Sequence, residues 1–165
     1  ISEFCQYAYE NLASQGLFVS ADVFGTIIGS EIDANAVGQI YTDMAKHLDY
    51  ICPMVYPSHY GPGNFGLEYP DKQPYETILG AMKKSKAVLD QAADEDDHIH
   101  NQAIVRPWLQ DFTASYLGEG KYIAYGYEEV QQQIQAVLDA GYDEWMLWSA
   151  ANRYHLHPAG EAAAE

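Results

Sequence analysis

Two aspartates stand where apolar runs break off, Asp22 in LFVSADVFG and Asp111 in AIVRPWLQDF. Paired carboxyl groups facing each other across a scissile bond are the machinery of glycoside hydrolysis, set about 5 Å apart for retention of configuration and further apart for inversion. The apolar run before Asp22 suggests a desolvated carboxyl, suited to act as a general acid. Nearby in the sequence are the side chains that sugars require, aromatic platforms for C–H faces and short polar groups for hydroxyls. Tyr56, Tyr60, Trp108 and Trp148 would supply the platforms, and His59, Gln110 and Asn152 further hydrogen bonds. The chemistry expected is recognition and hydrolysis of an oligo- or polysaccharide, with Asp22 and Asp111 as the catalytic pair and no cofactor or metal. A non-catalytic carbohydrate-binding module would use the same rings without a working carboxylate pair. Plainer roles stand beside these. A tryptophan in an apolar strand packs in a core, and Asp22 could cap its loop or pair with Arg106.

Other chemistries lose ground on inspection. The formal net charge of −16 repels phosphate backbones, which argues against nucleic acid. GPGNFG, residues 61–66, places proline where a phosphate loop needs amides and leads into no helix at once. Cys5 and Cys52 show no metal-ligand spacing, and there is no nucleophile-elbow GxSxG. HIH at 98–100 has the composition of a metal site but lies in the acidic run DEDDHIH, where a solvated loop is the simpler reading. No stretch has the roughly 18 consecutive apolar residues of a membrane span.

These residues need elements to hold them. Helical spacing of Ile1, Phe4, Cys5, Ala8 and Leu12 predicts a first helix with these on one face, stopped near Gly16. Strands are expected near residues 17–24, 50–56, 103–110 and 144–149, with Pro53 an awkward member of the second. Residues 27–39 read as a loop. Helices are expected over YTDMAKHLDY, YETILGAMKKSKAVLDQAADE and EEVQQQIQAVLDAG, the last closed by Gly141. Alternating helices and strands argue for parallel strands with helical crossovers, and the continuous apolar runs for a sheet covered on both faces. In this arrangement Asp22, Tyr56, His59, Gln110, Asp111, Trp148 and Asn152 all fall at carboxyl ends of strands, the edge where such architectures bind ligands.

VSADVFG, DYICPMVYPSHYGPGNFG, PYETI, RPWLQDF and WMLWSAANRY together resemble the carboxyl-terminal half of a bacterial family of glycoside-hydrolase-type domains of unknown function. The resemblance spans residues 1–155 and leaves 156–165 as a tail. It implies an α/β fold of parallel (β/α) units forming the second half of a TIM-type barrel related to the alpha-amylase-like enzymes. By position it makes Asp22 the strand-five acid, where the template has Glu, and Asp111 the strand-seven stabilising carboxylate. The strand-four nucleophile would lie upstream. On this reading the chain alone is not a competent hydrolase and either joins a missing amino-terminal half or self-associates. An extracellular or cell-surface location is expected, since polysaccharides are usually found there.

Overall fold

The computed structural model describes residues 1–95 and 103–158. Its packing divides the chain into two compact units, residues 1–54 with 83–107 and residues 55–82 with 108–165. The architecture is α/β, and the strand pairings within each unit are parallel.

The first unit contains α1 (Ser2–Ala13), β1 (Ser20–Phe24), α2 (Glu31–Val37), α3 (Tyr41–Ala45), β2 (Tyr50–Met54), the second half of α4 (Pro74–Glu95) and β3 (Ile104–Val105). Ser20 pairs opposite Tyr50 and Phe24 opposite Met54, while Tyr50 lies opposite Ile104. Side chains alternate across a strand, so Val23, Ile51 and Val105 share one face and are buried. Ser20, Asp22, Phe24 and Ile104 share the other face and are exposed. The expectation of strands covered on both faces therefore fails for β1 and β3.

Pro53 is accommodated in β2. Ile51 O accepts from Arg106 N at 3.0 Å. By the same two-residue alternation, Pro53 turns its nitrogen to that side, beyond the end of β3, where the lost donor matters least.

Several boundaries differ from the sequence expectation for identifiable reasons. Residues 27–39 are not simply a loop, because Ser30 Oγ accepts from Asp33 N and caps α2, and Gly38 ends it at φ 68°. Those are ordinary start and stop signals. The strand expected over 103–110 is two, since Arg106 and Pro107 interrupt it. Proline has no N–H to donate and restricts the residue before it. α1 forms as expected, but its apolar face is only partly buried. Cys5 is buried, whereas Phe4 is 71% exposed and Leu12 is also exposed.

The second unit contains the first half of α4, β4 (Trp108–Gln110), α5 (Tyr127–Asp139) and β5 (Met146–Trp148), with single 3-10 turns at Pro57–His59, Asn64–Gly66, Pro70–Lys72 and Ser115–Leu117. Trp108 pairs with Met146 and Gln110 with Trp148. α5 buries Val130, Gln133, Ala136 and Val137 at helical spacing and ends before Gly141, φ 86°, as expected. Among the described residues no helix is long and apolar enough to cross a membrane. Cys5 and Cys52 are free, buried thiols.

Candidate functional site

Asp111 follows β4 directly. Its backbone N–H donates to Trp148 O at 2.9 Å, which sets it beside the end of β5, and its side chain is fully buried. A buried carboxylate needs donors, and it finds both in one residue. His155 N donates to Oδ2 at 2.8 Å, and His155 Nδ1 lies 2.6 Å from Oδ1. The His155 side chain is 48% exposed. Trp148, the last residue of β5, is 45% exposed, and its indole meets the Trp108 indole edge to face at 6.0 Å.

Gln110 lies beneath Asp111 and is wholly buried. Its Oε1 accepts from Ser58 N at 3.1 Å, and its Nε2 donates to Asp71 Oδ1 at 2.9 Å and to Phe112 O at 3.1 Å. Its backbone is clamped by α5. Gln133 Oε1 accepts from Gln110 N at 2.9 Å, and Gln133 Nε2 donates to Gln110 O at 2.8 Å. Val55 N donates to Trp108 O on the same side of β4, so the Gln133 amide stands where a neighbouring strand would otherwise continue the ladder. With both ends of its amide engaged inside the protein, Gln110 supports the site and presents nothing to a ligand.

The network extends to the loops. Asp71 Oδ2 accepts from Ile123 N at 3.3 Å, Tyr125 OH donates to Asp71 O at 3.0 Å, and Tyr116 OH donates to Ser58 Oγ at 3.0 Å. Burial of the Asp71 carboxyl raises its pKa, against the lowering effect of its hydrogen bonds to Gln110 and Ile123 and of the nearby Tyr125 hydroxyl. The sign for stability follows. A carboxyl whose folded pKa is raised favours folding most below its unfolded value, about 4, and loses that contribution as pH rises through the folded value. We therefore expect the stability difference between the wild type and Asp71→Asn, taken from urea midpoints at pH 4.5, 6 and 7.5, to shift against the wild type as pH rises. A constant difference would sink this account of Asp71.

The aromatic candidates separate by exposure. Tyr56 is buried, with His59 edge-on at 5.0 Å and Phe112 at 5.8 Å. His59 is exposed, and desolvation of part of its ring lowers its pKa. Tyr60 is buried with its ring edge-on to Phe65 at 5.1 Å. Its hydroxyl makes no hydrogen bond among the described residues, and burial raises its pKa. Asn152 is exposed in a turn at φ 52°, its N–H donating to Ser149 O at 3.0 Å.

Asp22 belongs to the first unit. It lies in the middle of β1, opposite Cys52, and is exposed, not at the strand's end in the apolar surroundings its context suggested. Arg106, the sequence's alternative partner for Asp22, sits over the Tyr50 ring at 3.9 Å. The structure thus brings Asp111, Gln110, Trp108, Trp148, Tyr56, His59, Tyr60 and Asn152 into one unit, and Asp22 into the other. His155, Asp71 and Gln133 were not anticipated. The histidines at 98–100 lie outside the described residues. Among the described residues no cluster of three or more His, Cys, Asp or Glu side chains could hold a metal.

Parallel strands with a buried carboxylate at one carboxyl end and an exposed indole at the next make this an α/β domain whose polar and aromatic groups gather at the carboxyl edge of its strands. The chain belongs to the family described as "Putative glycosyl hydrolase domain", whose model matches residues 1–154. No curated protein matches it. Among solved structures it is similar to the PgaB (BpsB) glycoside hydrolase domain from Bordetella bronchiseptica, at 12% identity and a TM-score of 0.45 over 81% of this chain. The match spans 31% of that structure's chain.

Proposed function

We propose that this domain acts in the hydrolysis of an oligo- or polysaccharide, with Asp111 as the central acidic residue. The observation that carries the reading is the Asp111 carboxylate, fixed by two hydrogen bonds at the carboxyl end of β4 beside the exposed Trp148. Exposed indoles bind sugar faces, and fixed carboxylates stabilise the positive charge that develops at an anomeric carbon. Asp22, the general acid on sequence grounds, is exposed in the middle of β1 in the other unit, so the reading does not rest on it. The arrangement of strands supports the half-barrel reading, in which further carboxylates come from strands outside this chain.

The test is turnover of a glycan panel by the protein at its natural full length, compared with Asp111→Asn. Hydrolysis lost in the variant supports the assignment. Hydrolysis indifferent to it removes the assignment. Saturable sugar binding that requires Trp148, with no turnover at any pH, would make the domain a binding module.

The 165-residue chain by itself should associate and should not turn over glycans. β1 exposes Phe24, and Phe4, Tyr7 and Phe18 are exposed in the same unit. Apolar surface of this kind and an edge strand are templates for pairing, and a two-fold dimer is the commonest closed form. Light scattering should give a mass above one chain. A strictly monomeric species across micromolar concentrations would overturn this expectation.

A further inference from the structure

Asp111 has no exposed side-chain surface, yet the proposed chemistry needs a group that meets the substrate. Resting on that functional reading, we infer that His155 is the proton-transfer residue of the site and that Asp111 acts through it. An ionised carboxylate only accepts hydrogen bonds. Oδ2 already accepts from the backbone N–H of residue 155, and Oδ1 lies 2.6 Å from Nδ1, so Nδ1 carries a proton. That fixes the tautomer and leaves Nε2 as the working nitrogen. It makes no hydrogen bond among the described residues and belongs to a half-exposed ring. The buried carboxylate holds the ring's orientation and its proton on Nδ1, which is the positioning role of the aspartate in an aspartate–histidine pair.

The step balances. From the Nδ1–H ring, Nε2 takes a proton from a water whose oxygen bonds to the anomeric carbon. The Nε2–H so formed gives that proton to the glycosidic oxygen as the bond from that oxygen to the anomeric carbon breaks, and the pair ends as it began. Two hydroxyl products replace one glycoside and one water.

A merely structural His155 would anchor the segment after β5 to Asp111, and two variants separate the roles. His155→Asn can place its side-chain N–H near where Nδ1 sits, keeping the clasp while removing Nε2. His155→Ala removes both. In the full-length protein both should lose about 100- to 10,000-fold in kcat, the usual range for a general acid–base group. His155→Asn should keep near-wild-type thermal stability, and added imidazole should restore activity to His155→Ala. Nitrogen NMR of the imidazole supplies a readout independent of turnover. It should show the Nδ1–H tautomer in the wild type and the Nε2–H tautomer in Asp111→Asn, whose amide donates where the carboxylate accepted.

Wild-type activity in His155→Asn with Asp111→Asn inactive would overturn the inference and leave the functional reading standing. An Nε2–H tautomer in the wild type would overturn it as well. No hydrolysis of any glycan by the full-length wild type would remove the functional reading and this inference with it.

Discussion

Gln133→Ala should cost about 3–5 kcal/mol of folding stability, because it strands two buried backbone groups and opens a cavity in one change. The Gln133 amide is the partner of both Gln110 N and Gln110 O, at 2.9 and 2.8 Å, and both residues are wholly buried. No water reaches groups so placed, so each unpaired member carries its desolvation cost, about 1–3 kcal/mol. Gln133→Leu separates packing from pairing. It restores most of the volume but neither hydrogen bond, and should still lose about 2–4 kcal/mol. Urea denaturation of the three proteins measures this. A leucine variant as stable as the wild type would mean that the clamp contributes packing alone, and the reading of α5 as the support of β4 would fall.

The clamp matters to the site because Gln110 immediately precedes Asp111. Gln133 fixes the backbone of Gln110. The Gln110 side chain then ties Ser58, Asp71 and Phe112 to that point. Asp111 therefore emerges from a strand end held from the helix side by α5 and from the loop side by the turns at Pro57–His59 and Pro70–Lys72. Full satisfaction makes such a polar network rigid, and a single gap makes it costly. Its placement under a candidate catalytic carboxylate is what positioning chemistry requires.

Parts of this were legible in the sequence. The strand ends at Gln110–Asp111 and at Trp148 are legible because an apolar run ending in a polar or ring-bearing residue marks a strand's carboxyl end, whatever the rest of the fold. α5 and its stop were legible because apolar spacing and Gly141 agree. The failures have physical causes. Gln133 sits within EEVQQQIQ, where three consecutive glutamines read as a solvated face, and periodicity carries no sign that one amide turns inward. His155 meets Asp111 across 44 residues of sequence, and no local pattern reports a contact of that range. Asp71 lies in YPDKQP, which reads as turn chemistry. Its burial is decided by what packs over it. Asp22 is expected in apolar surroundings because the run before it is apolar, yet alternation along β1 sets it with Ser20 and Phe24 on the exposed face.

Gly80→Ala should destabilise the protein although it replaces glycine inside a helix, and the same change should stabilise it once Phe65 is gone. Alanine in a helix interior is worth about 1 kcal/mol over glycine. At Gly80 the added Cβ would meet Phe65 Cδ1 at 2.6 Å and Cγ at 2.7 Å, closer than carbon atoms approach. The ring cannot easily retreat. Phe65 is held at φ 55°, between Gly63 at φ 91° and Gly66 at φ 76°, and its other neighbour is the buried Tyr60 ring at 5.1 Å. Overpacking of this kind costs about 1–3 kcal/mol, so after the helix gain the net loss should reach up to about 2 kcal/mol. Phe65→Ala vacates the space, and Gly80→Ala in that background should then stabilise by about 0.5–1 kcal/mol. The double-mutant cycle reads the coupling directly, and a change of sign between backgrounds is its expected outcome. Equal effects of Gly80→Ala with and without Phe65 would show that this ring does not rest on α4, and that the GPGNFG loop takes its conformation from its own glycines.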